Sequence, residues 1–520
     1  MAAEAGKTVD ITGAMVTEPV ALGDWLVVAP VAIPLIAGAF LLMYRKETRI
    51  HAGVATIAFA LTFLTEIGLL MRVASDGPLV MTMGRWLPPF GICFSADILG
   101  ASFAAVSGFI ALVCSAYAAR DINNVGRRYG FYPFLLLMMA GVAGAFLTGD
   151  IFNLYVWFEV LLISSFGLLI LGSEKEQLDG ATKYALLNLV ATTLFLIGTG
   201  YLYGTFGTLN MADIARKADD LRATGPLMTL AGLYLLAFGM KAAAFPVNFW
   251  LPASYHTPRI VTSAIFAGLL TKVGVYALMR TLVMLLPPER DVLGQTIAWV
   301  AVGTMIIGIL GALAQSDIRR LLGFVVISGI GTMMAGLALG SPLGLSGAML
   351  YAVHSMLAMT GLYLVAGLMR EQSGSFSLHE VSGLYRDNPL LAGAALLLIL
   401  AASGLPPMSG LWPKVFLVKA SLDVGAWWLA AAILVTGLLT TIALGRVFAL
   451  AFWRNGDGEN SGSVDGPKMQ LGYAAVLAIL VPVAFLGLYP EPAMLLTDAA
   501  AAGLLDSSAY VEAVFPQGRP

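Results

Sequence analysis

Residues 235–280 read LLAFGMKAAAFPVNFWLPASYHTPRIVTSAIFAGLLTKVGVYALMR. The stretch is apolar enough to lie in a bilayer, yet it carries Lys241 and Lys272, one in each of two neighbouring hydrophobic segments. Pro246 follows Lys241 closely, with Pro252 and Pro258 beyond it. A proline inside a helix removes one backbone donor and pushes aside the carbonyl four residues back, here that of Ala242 beside the lysine. A charged side chain at the centre of a spanning helix costs about 2.5–3.5 kcal/mol on insertion scales. Broken helices that carry charge at mid-membrane depth are where secondary transporters bind and pass ions. The stretch therefore reads as half of an ion path.

The rest of the composition fits. Of 520 residues, 59% are hydrophobic and 12% charged, against about 25% charged in an ordinary soluble domain. The mean hydropathy of +0.85 is more than a soluble fold could hide, so the expected class is an all-α polytopic membrane protein. A net charge of −2 with no basic cluster gives no reason to expect a nucleic-acid partner. Cys93 and Cys114 offer neither a disulfide framework nor a metal spacing and read as small packing residues. Glu4, Lys7 and Asp10 near the start are unlike a cleavable signal peptide, so the first apolar segment is expected to stay in the membrane.

Apolar runs of spanning length give about fourteen transmembrane helices. Their approximate positions are 25–44, 50–71, 92–118, 131–148, 151–172, 182–206, 226–251, 260–281, 292–315, 320–340, 344–369, 389–424, 426–453 and 470–490. Two are long and interrupted: 226–251 near Pro246, and 389–424 at Pro406 and Pro407 in SGLPPMSG. Loop Lys and Arg favour an inner side holding Arg45, Lys46, Arg49, Arg127, Arg128 and Lys468, and an outer side holding Arg72, Arg280 and Arg290. That places both termini outside. The loop 455–468 is polar and Gly-rich, and 491–520 reads as a tail without clear structure. No phosphate loop, dinucleotide fingerprint or Cys/His metal cluster occurs, so no cofactor, metal site or catalytic centre is expected, and nucleotide-driven transport by this chain alone is not.

Five ionisable side chains fall deep in apolar segments: Glu159, Lys241, Lys272, His354 and Lys414. The bland alternatives are a neutral, hydroxyl-capped Glu159, a Lys241 snorkelling to the headgroups, and a hydrogen-bonded structural His354. Together the five would cost about 12–17 kcal/mol in the membrane, where apolar residues would cost nothing. Desolvation lowers a lysine pKa and a nearby carboxylate raises it, so a lysine that gains and loses a carboxylate partner can load and release a proton. Glu159 and Lys241 are expected to form such a switch, with Lys272, His354 and Lys414 carrying the proton onward through water. Lys419, closer to its helix end, is expected to snorkel, and Glu66 and Asp97 sit toward segment ends, where a wet interface explains them. His51 and His379 read as loop residues.

TGDIFNLYVWFEVLLISS, KAAAFPVNFWLPASYHTP, SAIFAGLLTKVGVYALMR, QSDIRRLLGF and GLPPMSGLWPK together resemble the D-type subunit of the Mrp-type multisubunit Na+/H+ antiporters. They are similar, more distantly, to the antiporter-like membrane subunits of respiratory complex I. The resemblance covers about Asp97 to Arg454. It implies two inverted five-helix repeats, helices 4–8 and 9–13, each with one broken helix. It divides the chain into residues 1–129 (helices 1–3), 130–281 (first repeat), 282–455 (second repeat) and 456–520 (polar loop, helix 14 and tail). It also implies roles: Glu159 as the helix-5 carboxylate, Lys241 as its helix-7 partner, Lys272 as the central bridge and Lys414 as the terminal lysine on helix 12. Many relatives have lysine where this chain has Met359, so the second-half relay leans on His354 or water. Arg259 stands where proline is expected. Lys414, where some relatives have glutamate, favours the D-type over the A-type.

The function implied is a proton-translocating subunit of a Na+ or K+/proton antiporter serving pH homeostasis in the bacterial inner (cytoplasmic) membrane. Its expected partners are other membrane subunits, lipid, protons and a monovalent cation. Two other readings stand beside it: a proton-pumping subunit of a complex I-type NADH dehydrogenase or membrane-bound hydrogenase, and a structural subunit whose buried charges hold its neighbours in place.

Overall fold

The structure, a computed structural model, describes residues 15–16, 20–455 and 467–516. Glu4, Lys7 and Asp10, most of the polar loop 455–468 and the side chain of Lys468 lie outside the described residues. The described chain is mostly helical. Its main helices run α1 (Ala29–Met43), α2 (Thr48–Asp76), α3 (Ile98–Asp121), α4 (Phe131–Leu147), α5 (Ile151–Leu169) and α6 (Lys175–Phe206). Next come α7 (Leu227–Ala242, resuming at Trp250–Ser254), α8 (Ile260–Leu285), α9 (Pro287–Ala314), α10 (Ile318–Leu339) and α11 (Pro342–Ser373). The chain ends with α12 (Pro389–Ser403, resuming at Leu411–Asp423), α13 (Trp427–Trp453), α14 (Pro467–Leu488), α15 (Glu491–Leu505) and α16 (Ser508–Val514). Among the described residues ten helices are long and apolar enough to cross a membrane, and α1, α4, α7 and α12 add shorter apolar helices.

Burial separates the helices by role. α8 is buried along its whole length and α10 and α11 nearly so, whereas α2, α6, α13 and α14 turn one apolar face outward. Leu186 and Leu189 of α6 and Leu434 and Leu438 of α13 are among the large apolar side chains left exposed. Outward leucines of this kind suit contact with lipid chains, while the fully covered α8 forms the axis of the bundle.

Four expectations need correction. The span 92–118 is not all helix: Cys93–Ala96 is a strand paired antiparallel with Leu79–Thr82, and α3 starts only at Ile98, where Asp97 Oδ1 accepts the N–H of Gly100 at 2.9 Å. Among the described residues the fold is thus helical with one small hairpin. The segment 50–71 continues to Asp76, because Arg72 finds acceptors in Asp24 (3.2 Å) and Asp76 (3.4 Å), and this leaves Glu66 well inside α2 and buried. His51 is no loop residue either: α2 begins at Thr48, and the imidazole is fully buried, its Nε2 donating to the carbonyl of Tyr44 at 3.2 Å. The tail from 491 forms α15 and α16, which bury Ala500, Ala501, Leu504, Tyr510 and Val514.

The two interrupted helices break in the same way. α7 stops where Ala243 takes a left-handed backbone (φ 61°), its N–H shared between the carbonyls of Gly239 and Met240, while Ala244 N–H reaches the Gly239 carbonyl at 2.9 Å. In α12 Gly404 (φ 79°) shares its N–H between Leu400 and Ala401, and Leu405 N–H reaches the Leu400 carbonyl at 3.0 Å. Such a left-handed cap satisfies carbonyls that the interrupted helix would otherwise leave without donors inside the membrane.

The starts of α5 and α10 match as well. Asp150 caps α5 through Asn153 N–H (2.8 Å), and Asp317 caps α10 through Arg319 N–H (2.9 Å). Ile151 N–H donates to Leu209 and Met211 N–H to Gly149, both at 2.9 Å. Likewise Ile318 N–H donates to Phe376 (3.0 Å) and Leu378 N–H to Ser316 (2.9 Å).

Gly404 is under a double constraint, since a Cβ there would overlap the Lys414 side chain as well as strain the backbone. Gly425, also left-handed (φ 71°), has open space around it. In thermal unfolding of the detergent-purified protein, Gly425→Ala is expected to cost about 1–2 kcal/mol, from the backbone alone. Gly404→Ala is expected to cost a further 1–3 kcal/mol or so, from overpacking against Lys414.

Candidate ion path

Lys241 occupies the last turn of the first half of α7 and is 5% exposed. Its Nζ donates to Thr192 Oγ1 of α6 at 2.8 Å and stands 4.7 Å from the ring centroid of Phe158 on α5. Glu159, the next residue, is partly buried, and its Oε1 is covered with no hydrogen-bond partner among the described residues. No N–O contact within 4.0 Å joins Glu159 to Lys241; the lysine rests on a hydroxyl and an aromatic face instead.

Lys272 lies on α8, fully buried. Here α8 is not regular: Phe266–Leu270 forms a π-helical turn, the kind of widened turn that recurs at functional sites. Lys272 Nζ donates to the carbonyl of Ala267 in that turn at 2.6 Å. Gly274, two residues on, lets α8 close against Ala242: a Cβ there would lie 2.8 Å from the Ala242 nitrogen. On its other side α8 meets α11 at Gly268, where a Cβ would overlap Thr360 Oγ1.

His354 of α11 is 2% exposed, and its Nδ1 shares a 2.8 Å hydrogen bond with Ser409 Oγ in the break of α12. Lys414, in the second half of α12, reaches back across the same break: its Nζ donates to the carbonyl of Ser403 at 2.6 Å. Ser403 is the last residue of the first half, so the ammonium sits at the negative end of that half-helix. Met359 is buried on α11. Pro246, Pro406 and Pro407 all lie in the two breaks. Among the described residues none of Glu159, Lys241, Lys272, His354 and Lys414 has an oppositely charged partner within 4.0 Å, and no group of three His, Cys, Asp or Glu is placed to hold a metal ion.

The family model for the membrane part of "NADH:quinone oxidoreductase/Mrp antiporter" matches residues 148–440, which hold all five groups. The D-type subunit of the Na(+)/H(+) antiporter of Alkalihalophilus pseudofirmus is 36% identical over 496 residues, covering 95% of this chain and 99% of the relative. That of Bacillus subtilis is 34% identical, covering 94% and 99%. A chain of the solved Mrp complex from Dietzia sp. DQ12-45-1b superposes with a TM-score of 0.87 at 28% identity, covering 95% of this chain and all of that one. The chain belongs to this antiporter family. Its relatives are subunits of secondary transporters, and the chain is likewise an antiporter-type membrane subunit rather than an enzyme.

Sequence reasoning passes over three parts of this antiporter-type subunit. Tyr184, Asn188 and Thr192 lie one turn apart on a buried face of α6 and form a polar column ending at Lys241, visible in the sequence only as an i, i+4, i+8 spacing. His256, in a short polar stretch between two apolar segments, gives no signal of its own. It is buried beside a polar pocket of about 680 Å³ that it lines with Glu176, Asp179, Lys183, Asp317 and Arg320. Its Nδ1 donates to the Pro252 carbonyl (2.9 Å) and its Nε2 accepts from Arg320 (3.0 Å). Burial, and then the guanidinium groups of Arg320 and Arg319, push its pKa down to about 4.

Arg280, expected in an outer loop, is instead 1% exposed in the second π-helical turn of α8 (Met279–Leu285). It is ion-paired with Asp97 and receives support from Tyr276 (Nε to OH, 3.0 Å) and the ring of Tyr510 on α16 (5.6 Å). Asp97 is therefore a buried partner and not a wet terminus.

Two outcomes follow from these contacts. Removing one member of a buried pair leaves the other charge uncompensated. Arg280→Met is thus expected to destabilise the protein by about 3–5 kcal/mol, and Asp97→Asn/Arg280→Met to recover much of the loss in thermal unfolding, since asparagine keeps the α3 cap. For His256, the folded pKa lies below the unfolded value of about 6.5, so the unfolded chain takes up the proton first as pH falls. Above about pH 6.5 the residue leaves stability unchanged. Between 6.5 and about 4 stability declines, and His256→Gln is expected to remove that part of the decline in unfolding measured across the range.

Proposed function

We propose that the chain is the proton-translocating subunit of a multisubunit Na+ or K+/proton antiporter. Protons pass along Glu159, Lys241, Lys272, His354 and Lys414, with water between them. The observation that carries this reading is that five deeply placed ionisable groups lie on the two interrupted helices and their neighbours with no counter-ion within 4.0 Å among the described residues. At about 2.5–3.5 kcal/mol each, that is an expense a purely structural membrane subunit would have no reason to keep. Each lysine is held by one neutral oxygen, a contact that can be exchanged for water or a carboxylate as the proton moves. One charge falling through 100 mV releases about 2.3 kcal/mol, enough to move a monovalent cation against a modest gradient.

The layout goes with the function. The reading takes fourteen membrane helices with two inverted five-helix repeats, helices 4–8 in residues 130–281 and helices 9–13 in 282–455, flanked by 1–129 and 456–520. The matched caps at Asp150 and Asp317 and the matched breaks at Ala243 and Gly404 support a repeat. The expected setting is the bacterial cytoplasmic membrane with both termini outside, in a complex with further small hydrophobic subunits, as the relatives are named as single subunits of antiporters. His354, bonded to the α12 break, takes the part that Met359 cannot.

In vesicles holding the assembled complex, Glu159→Gln, Lys241→Ala, Lys272→Ala and Lys414→Ala are each expected to lower cation-driven proton movement at least tenfold without loss of assembly. Unchanged antiport in the Glu159 and Lys241 variants would overturn the path and leave these charges a docking role. Copurification with flavin or iron–sulfur proteins in place of small antiporter subunits would overturn the antiporter assignment.

A further inference from the structure

A second polar seam runs between α2 and α3, outside residues 148–440 and away from the lysines. Glu66 stands on the buried face of α2, 1% exposed, and its Oε2 has no hydrogen-bond partner among the described residues. The carboxyl head sits against Gly108 of α3, where a Cβ would overlap it, so the glycine makes its pocket. Toward the start of α2 the same interface holds Thr62 and then Thr56, whose Oγ1 lies 3.2 Å from Ser115 Oγ of α3. It ends at His51, with Nε2 on the Tyr44 carbonyl and a buried Nδ1 without a partner among the described residues. His51 and Glu66 are fifteen residues apart, about 22 Å along the helix at 1.5 Å per residue.

We propose that this seam is a second proton-binding site, with Glu66 as the proton acceptor. An ionisable side chain inside a membrane is expensive unless it is used, and it marks proton relays in transporters. Thr62 Oγ1 already donates to the Ala58 carbonyl (2.9 Å), which leaves its lone pairs free to accept. A metal cation would need several oxygens around it, whereas the group packed on the carboxyl is glycine, so the ligand is the proton. Among the described residues nothing packed on α2 neutralises the carboxylate. α1 carries no charged residue and α4 only Tyr132; Cys114, Tyr117, Arg120 and Asp121 lie toward the far end of α3, and Arg127 and Arg128 follow it. At the other end Arg72 is engaged by Asp24 and Asp76. Glu66 thus gains and loses its proton on its own, independently of the Glu159–Lys414 path.

The test uses the chain assembled with its partner subunits in native membranes, treated with dicyclohexylcarbodiimide over pH 5–9 or so and mapped by mass spectrometry. A protonated carboxyl in an apolar pocket adds across the carbodiimide, its oxygen bonding to carbon and its proton passing to nitrogen. The expected result is an adduct on Glu66 that falls at least tenfold from the acid to the alkaline end. No adduct on Glu66 while other carboxyls of the complex are labelled would overturn the site. So would labelling that does not change with pH, the mark of a permanently neutral structural acid. Glu66→Gln, which keeps the shape, is expected to lower antiport at least threefold and to shift its pH profile; an unchanged rate and profile would overturn a part in transport. The labelling does not depend on the lysine path, so it stands or falls separately from the antiport of the Lys241 variants.

Discussion

An ammonium group buried in a membrane protein needs an oxygen, and an intact helix offers few, because each of its carbonyls already accepts from its own backbone. Lys241, Lys272 and Lys414 meet that constraint in three ways. Lys241 takes a hydroxyl from the neighbouring helix, Thr192. Lys272 takes the carbonyl of Ala267, made reachable by a π-helical turn. Lys414 takes the carbonyl of Ser403, left over where α12 stops. The irregular backbone of α8 and α12 is thus what gives these ammonium groups an oxygen, and the π-helical turn of α8 is buried among other helices along its whole length.

The two broken helices reach a common electrostatic arrangement by different sequence routes. Lys241 belongs to the last turn before its break, while Lys414 comes after its break and folds back over it. Both ammonium groups end near the C-terminus of a half-helix, where the backbone dipole is negative. The difference explains the residues at the turning points. Lys414 packs directly on Gly404, so no side chain fits there. In α7 the lysine has already been placed before the turn, and the left-handed position is filled by Ala243. Close approach of α8 is secured there by Gly274 instead.

Much of this was legible in the sequence, for a definite reason. A lysine or glutamate within a long apolar run is conspicuous, and a proline beside it announces the interruption. The membrane class, the two interruptions and the antiporter family could be read from Lys241, Pro246, Pro406, Pro407 and the motifs around them. The oxygen partners could not, because Ala267 and Ser403 contribute backbone atoms that leave no mark on residue identity. Segment ends are hidden from the sequence wherever a charge is satisfied locally. Arg72 looks like the end of α2, yet its ion pairs with Asp24 and Asp76 carry the helix on to Asp76 and leave Glu66 in the interior. Arg280 looks like an outer loop, yet α8 continues through a second π-helical turn around it.

α8 also shows how one buried helix can hold two cations in opposite ways. Arg280 is neutralised by Asp97, backed by Tyr276 and Tyr510, and carries a guanidinium that does not give up its proton. Its charge is fixed and paired, so it serves to lock α8 to the start of α3 and to the C-terminal helix α16. Lys272, two turns away on the same helix, has one carbonyl and no counter-charge within 4.0 Å among the described residues. An amine, unlike a guanidinium, is chemically able to give up its proton. Exchanging the two residues would therefore abolish both properties at once, since an arginine at 272 would hold its proton and a lysine at 280 would lose the planar fork that spans Asp97 and Tyr276. The division of labour along α8 rests on which cation is given a partner.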